Sequence, residues 1–141
     1  MKLDLPNGLI SPEKAKEMNQ EFIKTRSKEL DKIVEKLDNK PKKKDALSSW
    51  FSLEEIKNYI AYVESKASDV NGLRVYFGAY GKKATEKSNV STVFLVPTRL
   101  KPETIQKGGI AGGFNSDIGD VEALNNGSTG HPPSGEYPQE L

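Results

Sequence analysis

The chain has 141 residues, with 21 Lys and Arg against 20 Asp and Glu, one histidine and no cysteine. Disulfides, thiolate metal sites and thiol catalysis are therefore excluded, and a lone histidine excludes a multi-histidine metal site within one chain. A formal charge of +1 gives no general attraction to nucleic acid or to an anionic membrane.

The length fits a single domain, long enough to bury a core without staples. No run approaches the roughly 18 apolar residues of a membrane span. The start, MKLDLPNGLIS, has no apolar stretch of secretory-signal length. A soluble, cytoplasmic protein without a membrane partner is the expectation.

Residues 1–10 read as an N-terminal arm, with Leu3, Leu5, Leu9 and Ile10 available to pin it. Ser11-Pro12-Glu13 is a helix start: a capping serine, a proline in the first turn and an early acid. Apolar residues at Ala15, Met18, Phe22, Leu30, Ile33 and Leu37 then predict one long helix over 11–38. Arg26 falls within that stripe and reads as a snorkelling stem. The length of the helix raises a homodimer through it. Asn39-Lys40-Pro41 ends it, since proline cannot continue a helix. The basic run Lys40–Lys44 reads as a solvated linker.

Residues 46–98 form the expected core unit. Ala46–Phe51 predicts a short strand. Ser52-Leu53-Glu54-Glu55 is a capping box, with Phe51 placed as a hydrophobic staple onto Ile56. Leu53, Ile56, Ile60, Val63, Ala67 and Val70 repeat at helical spacing, flanked by Tyr59 and Tyr62, and Asn71-Gly72 supplies a stop. LRVYFGAY (73–80) and STVFLVPT (91–98) are the most strand-like runs. They predict an antiparallel hairpin with Phe77 opposite Phe94 and Val75 opposite Val96. Leu73, Val75, Phe77 and Ala79 then face the core, while Arg74, Tyr76 and Tyr80 face outward. The polar connection 81–90 predicts a mobile tip, and Pro97 predicts a strand end or an edge.

Residues 99–141 read as an irregular Gly/Pro-rich tail. A short helical turn is expected at 99–106 and a capped turn into a short helix at 117–124. The fold class is α+β: two main helices on a small, mainly antiparallel sheet, closed by that tail.

GGIAGGF (108–114) lacks the Lys-Ser/Thr of a phosphate loop, so no cofactor is expected. Asn115, Asp117, Asp120 and Glu122 fail the spacing of a calcium loop, so no metal is expected. His131 is the single weak catalytic candidate. With Asp117, Asp120 or Glu122 it would serve a small hydrolase- or transferase-like enzyme. Arg74, Tyr76 and Tyr80 make the preferred binding surface, because aromatic rings beside a guanidinium suit a peptide, a sugar or a stacked base, with a protein or peptide the expected partner. The same rings with Lys40–Lys44 give a further alternative, single-stranded nucleic-acid binding, although the basic-Gly-aromatic-Gly order of RNA-binding sheets is absent.

Taken together, ISPEKAKE, SSWFSLEEIKNYI, GLRVYFGAY, STVFLVPT and NNGSTGHPPS resemble a recurring set in a family of small uncharacterised bacterial proteins. The resemblance spans most of the chain and implies that NNGSTGHPPS belongs to the folded unit. It implies no activity and no catalytic residue. The function expected from the residues is a non-enzymatic binding or adaptor module with its contact face on the 73–98 hairpin.

Overall fold

The computed structural model describes residues 3–102, 113–125, 128–129 and 135–140. The chain is an α+β protein. Helix α1 (Pro12–Phe22) continues through a π-helical turn (Ile23–Ser27) into α2 (Lys28–Asp38). Ser11 caps the start, its Oγ accepting from the Lys14 amide at 3.0 Å. Asn39 ends it in the left-handed conformation, at φ 51°, which asparagine tolerates better than most residues. The π turn falls in the eight-residue gap between Phe22 and Leu30, where the apolar stripe skips a turn. A wide turn absorbs the extra residue. Arg26 is exposed there and donates to Thr25 Oγ1 at 2.8 Å.

The long helix does not bury the stripe that its periodicity marks. Met18, Ile33 and Leu37 are exposed, and Val34 is the buried contact, packed with Ala46 and Val90. Polar bonds on either side of Val34 set the roll of the helix. Asp31 accepts the Asp45 amide at 2.7 Å. Asp38 accepts from Ser88 Oγ at 2.9 Å and from Asn89 Nδ2 at 2.5 Å, and it pairs with Lys43. These bonds also tie the base of the 81–90 connection to the end of α2, so the connection is not a free tip. The basic run is likewise not wholly solvated, since the Lys43 side chain is nearly buried at that pair.

A short strand β1 (Ser49–Trp50) leads into helix α3 (Leu53–Lys66) and pairs with β5 (Ser128–Thr129). Ser52 Oγ accepts the Glu55 amide at 2.9 Å, one half of the expected capping box, and Phe51 and Ile56 join one apolar cluster, as the staple requires. Ser52→Ala should cost about 1 kcal/mol by loss of that cap, read as a lower urea midpoint. An unchanged midpoint would remove the cap from the account.

The buried centre of α3 is Tyr59 and Val63, while Leu53 and Ile60 are exposed. The helical spacing places Tyr59 on the flank of the stripe. It is inside because its hydroxyl has somewhere to go: it donates to the Glu122 carbonyl at 2.8 Å and lies 3.1 Å from that of Leu95. The helix stops at Lys66, before Asn71-Gly72, which instead sits at an irregularity in the following strand.

Among the described residues the main sheet is antiparallel in the order β2 (Val70–Ala79), β3 (Ser91–Pro102), β4 (Gly113–Asp117). The observed register is one residue from the expected one. Phe77 lies opposite Val93, Tyr76 opposite Phe94 and Val75 opposite Leu95. Leu95 therefore shares the Leu73 face, and that end packs on Tyr59 and Val63. Val75 and Phe77 are not core residues: they are 54% and 90% exposed. Among the described residues helix α3 covers only the Leu73 end of the strand, and β2 is an outer strand.

Pro97 is buried within the central strand, against the expectation of an end or an edge. The missing N–H is tolerated because Pro97 lies where the β4 ladder gives way to a turn. Its carbonyl accepts the Ile118 amide at 3.0 Å. Residues 99–102 continue β3 and pair with β4; the rest of the expected helical turn, 103–106, lies outside the described residues. No helix forms at 117–124 either: Leu124 exchanges both backbone bonds with Leu95, at 2.9 Å each.

Candidate functional site

The Leu95–Leu124 exchange determines which way the β2 backbone points. Leu95 spends its N–H and C=O on Leu124, on the side away from β2. The Val75–Leu95 pair is therefore a non-hydrogen-bonded one, and bonding alternates along an antiparallel ladder. Tyr80 fits the alternation, donating to the Val90 carbonyl at 3.0 Å. Arg74, Tyr76 and Gly78 thus bond inward to β3. Leu73, Val75, Phe77 and Ala79 turn their N–H and C=O groups outward, where no described strand meets them.

The same four residues send their side chains to the face shared with Val93 and Leu95. Beyond the reach of α3, that face opens on a pocket of about 430 Å³ between the hairpin, α1 and the segment before β1. Phe22, Leu30, Leu47, Phe77 and Val93 give it apolar walls. Ser49 also lines it, and its buried Oγ has no hydrogen-bond partner among the described residues. The segment 135–140 meets the rim. The Tyr137 amide donates to Asn19 Oδ1 at 2.9 Å, and Gln139 Nε2 donates to Ser48 Oγ at 3.3 Å.

The opposite face carries the residues singled out from sequence, and it is divided. Arg74 pairs with Asp117 and also donates to the Asn115 carbonyl at 2.9 Å. The Tyr76 hydroxyl donates to the other Asp117 oxygen, and its ring stacks on Phe94 at 5.3 Å between centroids. The Tyr76 hydrogen bond, helped by Arg74, holds the Asp117 carboxyl below the usual carboxylate range. Asp117 in turn raises the Tyr76 hydroxyl. Arg74 and Tyr76 are thus joined through a carboxylate from β4.

Tyr80 stands apart from them. Its ring packs on the Val34 cluster, and its hydroxyl lies 3.3 Å from both Asn125 Oδ1 and Thr92 Oγ1. Lys83 and Lys87 lie over the ring at 5.8 and 5.6 Å. The three residues do not form one surface, and a carboxylate sits in the middle of the Arg74–Tyr76 pair.

His131 and the glycine cluster 108–112 lie outside the described residues. Among the described residues no group of three or more His, Asp or Glu comes together to hold a metal, and no helix is long and apolar enough to cross a membrane. Asp120 and Glu122 are exposed, and the Asp117 carboxylate is taken by Arg74 and Tyr76. No family model, curated protein or solved structure matches the chain.

Sequence reasoning missed Val75 and Phe77 as surface residues and missed the pocket entirely. One signal was available: Val93-Phe94-Leu95-Val96 is apolar on both faces, so its own pattern does not choose which face is the core.

Proposed function

We propose that this chain is a binding module whose contact surface is the outer edge of the 73–98 hairpin. One observation carries the reading: the exposed Phe77 belongs both to a row of outward-turned backbone groups and to the wall of an apolar pocket. An extended protein segment satisfies both at once. Its backbone extends the sheet at β2, and alternate side chains reach the Phe77 face. Natural sheets protect long outer strands with lysine, proline or inward charge. β2 has no lysine or proline, and its single charge, Arg74, is paired with Asp117.

The reading moves the contact from the Arg74, Tyr76 and Tyr80 face to the other side of the same hairpin. It calls for no cofactor, metal or membrane. The test uses extended peptides selected from a random display library. Titrated into isotope-labelled protein, they should shift the amides of Leu73, Val75, Phe77 and Ala79. Phe77→Lys should weaken them at least tenfold, because it places a charge in the contact. Peptides that shift only Arg74, Tyr76 and Asp117, and bind Phe77→Lys unchanged, would refute the assignment.

A further inference from the structure

The outer edge of β2 is self-complementary, and this names a partner for the surface proposed above, on which the inference rests. The geometry points to a second copy of the chain, joined β2 to β2 in antiparallel fashion about a two-fold axis at Tyr76.

The register follows from which backbone groups turn outward. Leu73, Val75, Phe77 and Ala79 turn theirs away from β3. A two-fold axis at Tyr76 sets Val75 against the partner's Phe77 and Leu73 against the partner's Ala79, and each such pair exchanges both backbone bonds. An axis at Val75 would bring Ala79 against Asn71, where the strand is irregular. An axis at Phe77 would bring Leu73 against Gly81, beyond the end of the strand. Only the Tyr76 axis uses all four outward residues over regular strand.

The side chains fit that axis. The Val75–Phe77 contact occurs twice, an aromatic against a β-branched residue, a favourable cross-strand pair. It covers the most exposed aromatic ring of the hairpin. On the opposite face Tyr76 meets its own symmetry mate. Arg74 meets Gly78, so no like charges face one another, and each Arg74 keeps its own Asp117. Two sheets of the order β2-β3-β4 become one continuous sheet, in the isologous arrangement commonest among oligomers.

The chain has no cysteine, so single-cysteine variants report the register directly. Tyr76→Cys should form an intermolecular disulfide under mild oxidation, since non-hydrogen-bonded partners on the axis lie within disulfide reach. Arg74→Cys, which faces Gly78, should not. Sedimentation of the cysteine-free parent supplies the second reading, independent of any change at Tyr76. It should give a dimer that Phe77→Lys converts to a monomer with unchanged circular dichroism.

A parent that is monomeric at all accessible concentrations overturns the second copy as partner, while peptide binding at the β2 amides would still uphold the binding surface. A dimer that survives Phe77→Lys, as one formed through Met18, Ile33 and Leu37 on the long helix would, also overturns it. A parent that neither dimerises nor binds an extended peptide at the β2 amides would sink the surface itself.

Discussion

Leu95→Ala is expected to destabilise the fold by about 3 kcal/mol, while Phe77→Ala leaves stability within about 0.5 kcal/mol. Leu95 is 8% exposed and packs on Tyr59 and Val63. Its truncation removes buried methyl groups and leaves a hole between α3 and the sheet, which the fixed Tyr59 hydroxyl and the Leu124 ladder keep from closing. Phe77 is 90% exposed, so its ring gains almost nothing from folding. Both variants are to be measured by urea denaturation at a protein concentration low enough to populate the monomer, because self-association would add a concentration-dependent term. The contrast tests the orientation of the whole hairpin. A costly Phe77→Ala beside a mild Leu95→Ala would mean that the strand faces the other way.

The second large effect is expected at Asp38. This carboxylate gathers Lys43, Ser88 and Asn89 at the junction of α2 and the hairpin connection. The Lys43 bond, with those of Ser88 and Asn89, holds its carboxyl down to about 2. The folded state thus binds this proton less readily than the unfolded chain, whose aspartates titrate near 4. Its contribution is complete above about pH 4 and is lost as pH falls through about 2. Asp38→Asn should lower the urea midpoint at neutral pH, leaving Lys43 without its carboxylate in a nearly closed site. The gap between parent and variant should narrow steadily as the pH is taken below about 4. A gap that stays constant down the acid limb would remove Asp38 as the ionised hub.

Local signals in the sequence are legible where they depend on a few neighbours. The Ser11 and Ser52 caps, the Asn39 stop and the short strand before α3 all rest on contacts within a few residues, and all are present. Orientation is poorly legible, because it depends on what lies across the fold. The four-residue apolar run in β3 is compatible with either face inward, and α3 settles the matter by placing Tyr59 and Val63 against Leu95. The roll of the long helix was hidden for a similar reason: Asp31 and Asp38 fix it through bonds to Asp45, Ser88 and Asn89, and distant polar partners leave no periodicity. Pro97 misled because a proline in a central strand is allowed only where the ladder changes partner, which the local sequence does not announce. The candidate site is legible in the sequence as far as the hairpin itself; that Asp117 engages Arg74 and Tyr76, and that the outward-turned backbone groups belong to their neighbours, is not.

Amide hydrogen exchange along β2 tests the central claim most directly, and the Phe77→Lys variant allows it to be read without a second copy on the edge. Arg74, Tyr76, Gly78 and Tyr80 should exchange slowly, with Val75, Ala79 and the substituted residue 77 exchanging fast between them. The reverse alternation, or uniform protection along the strand, would mean that the β2 edge is not open and that no partner adds to it there.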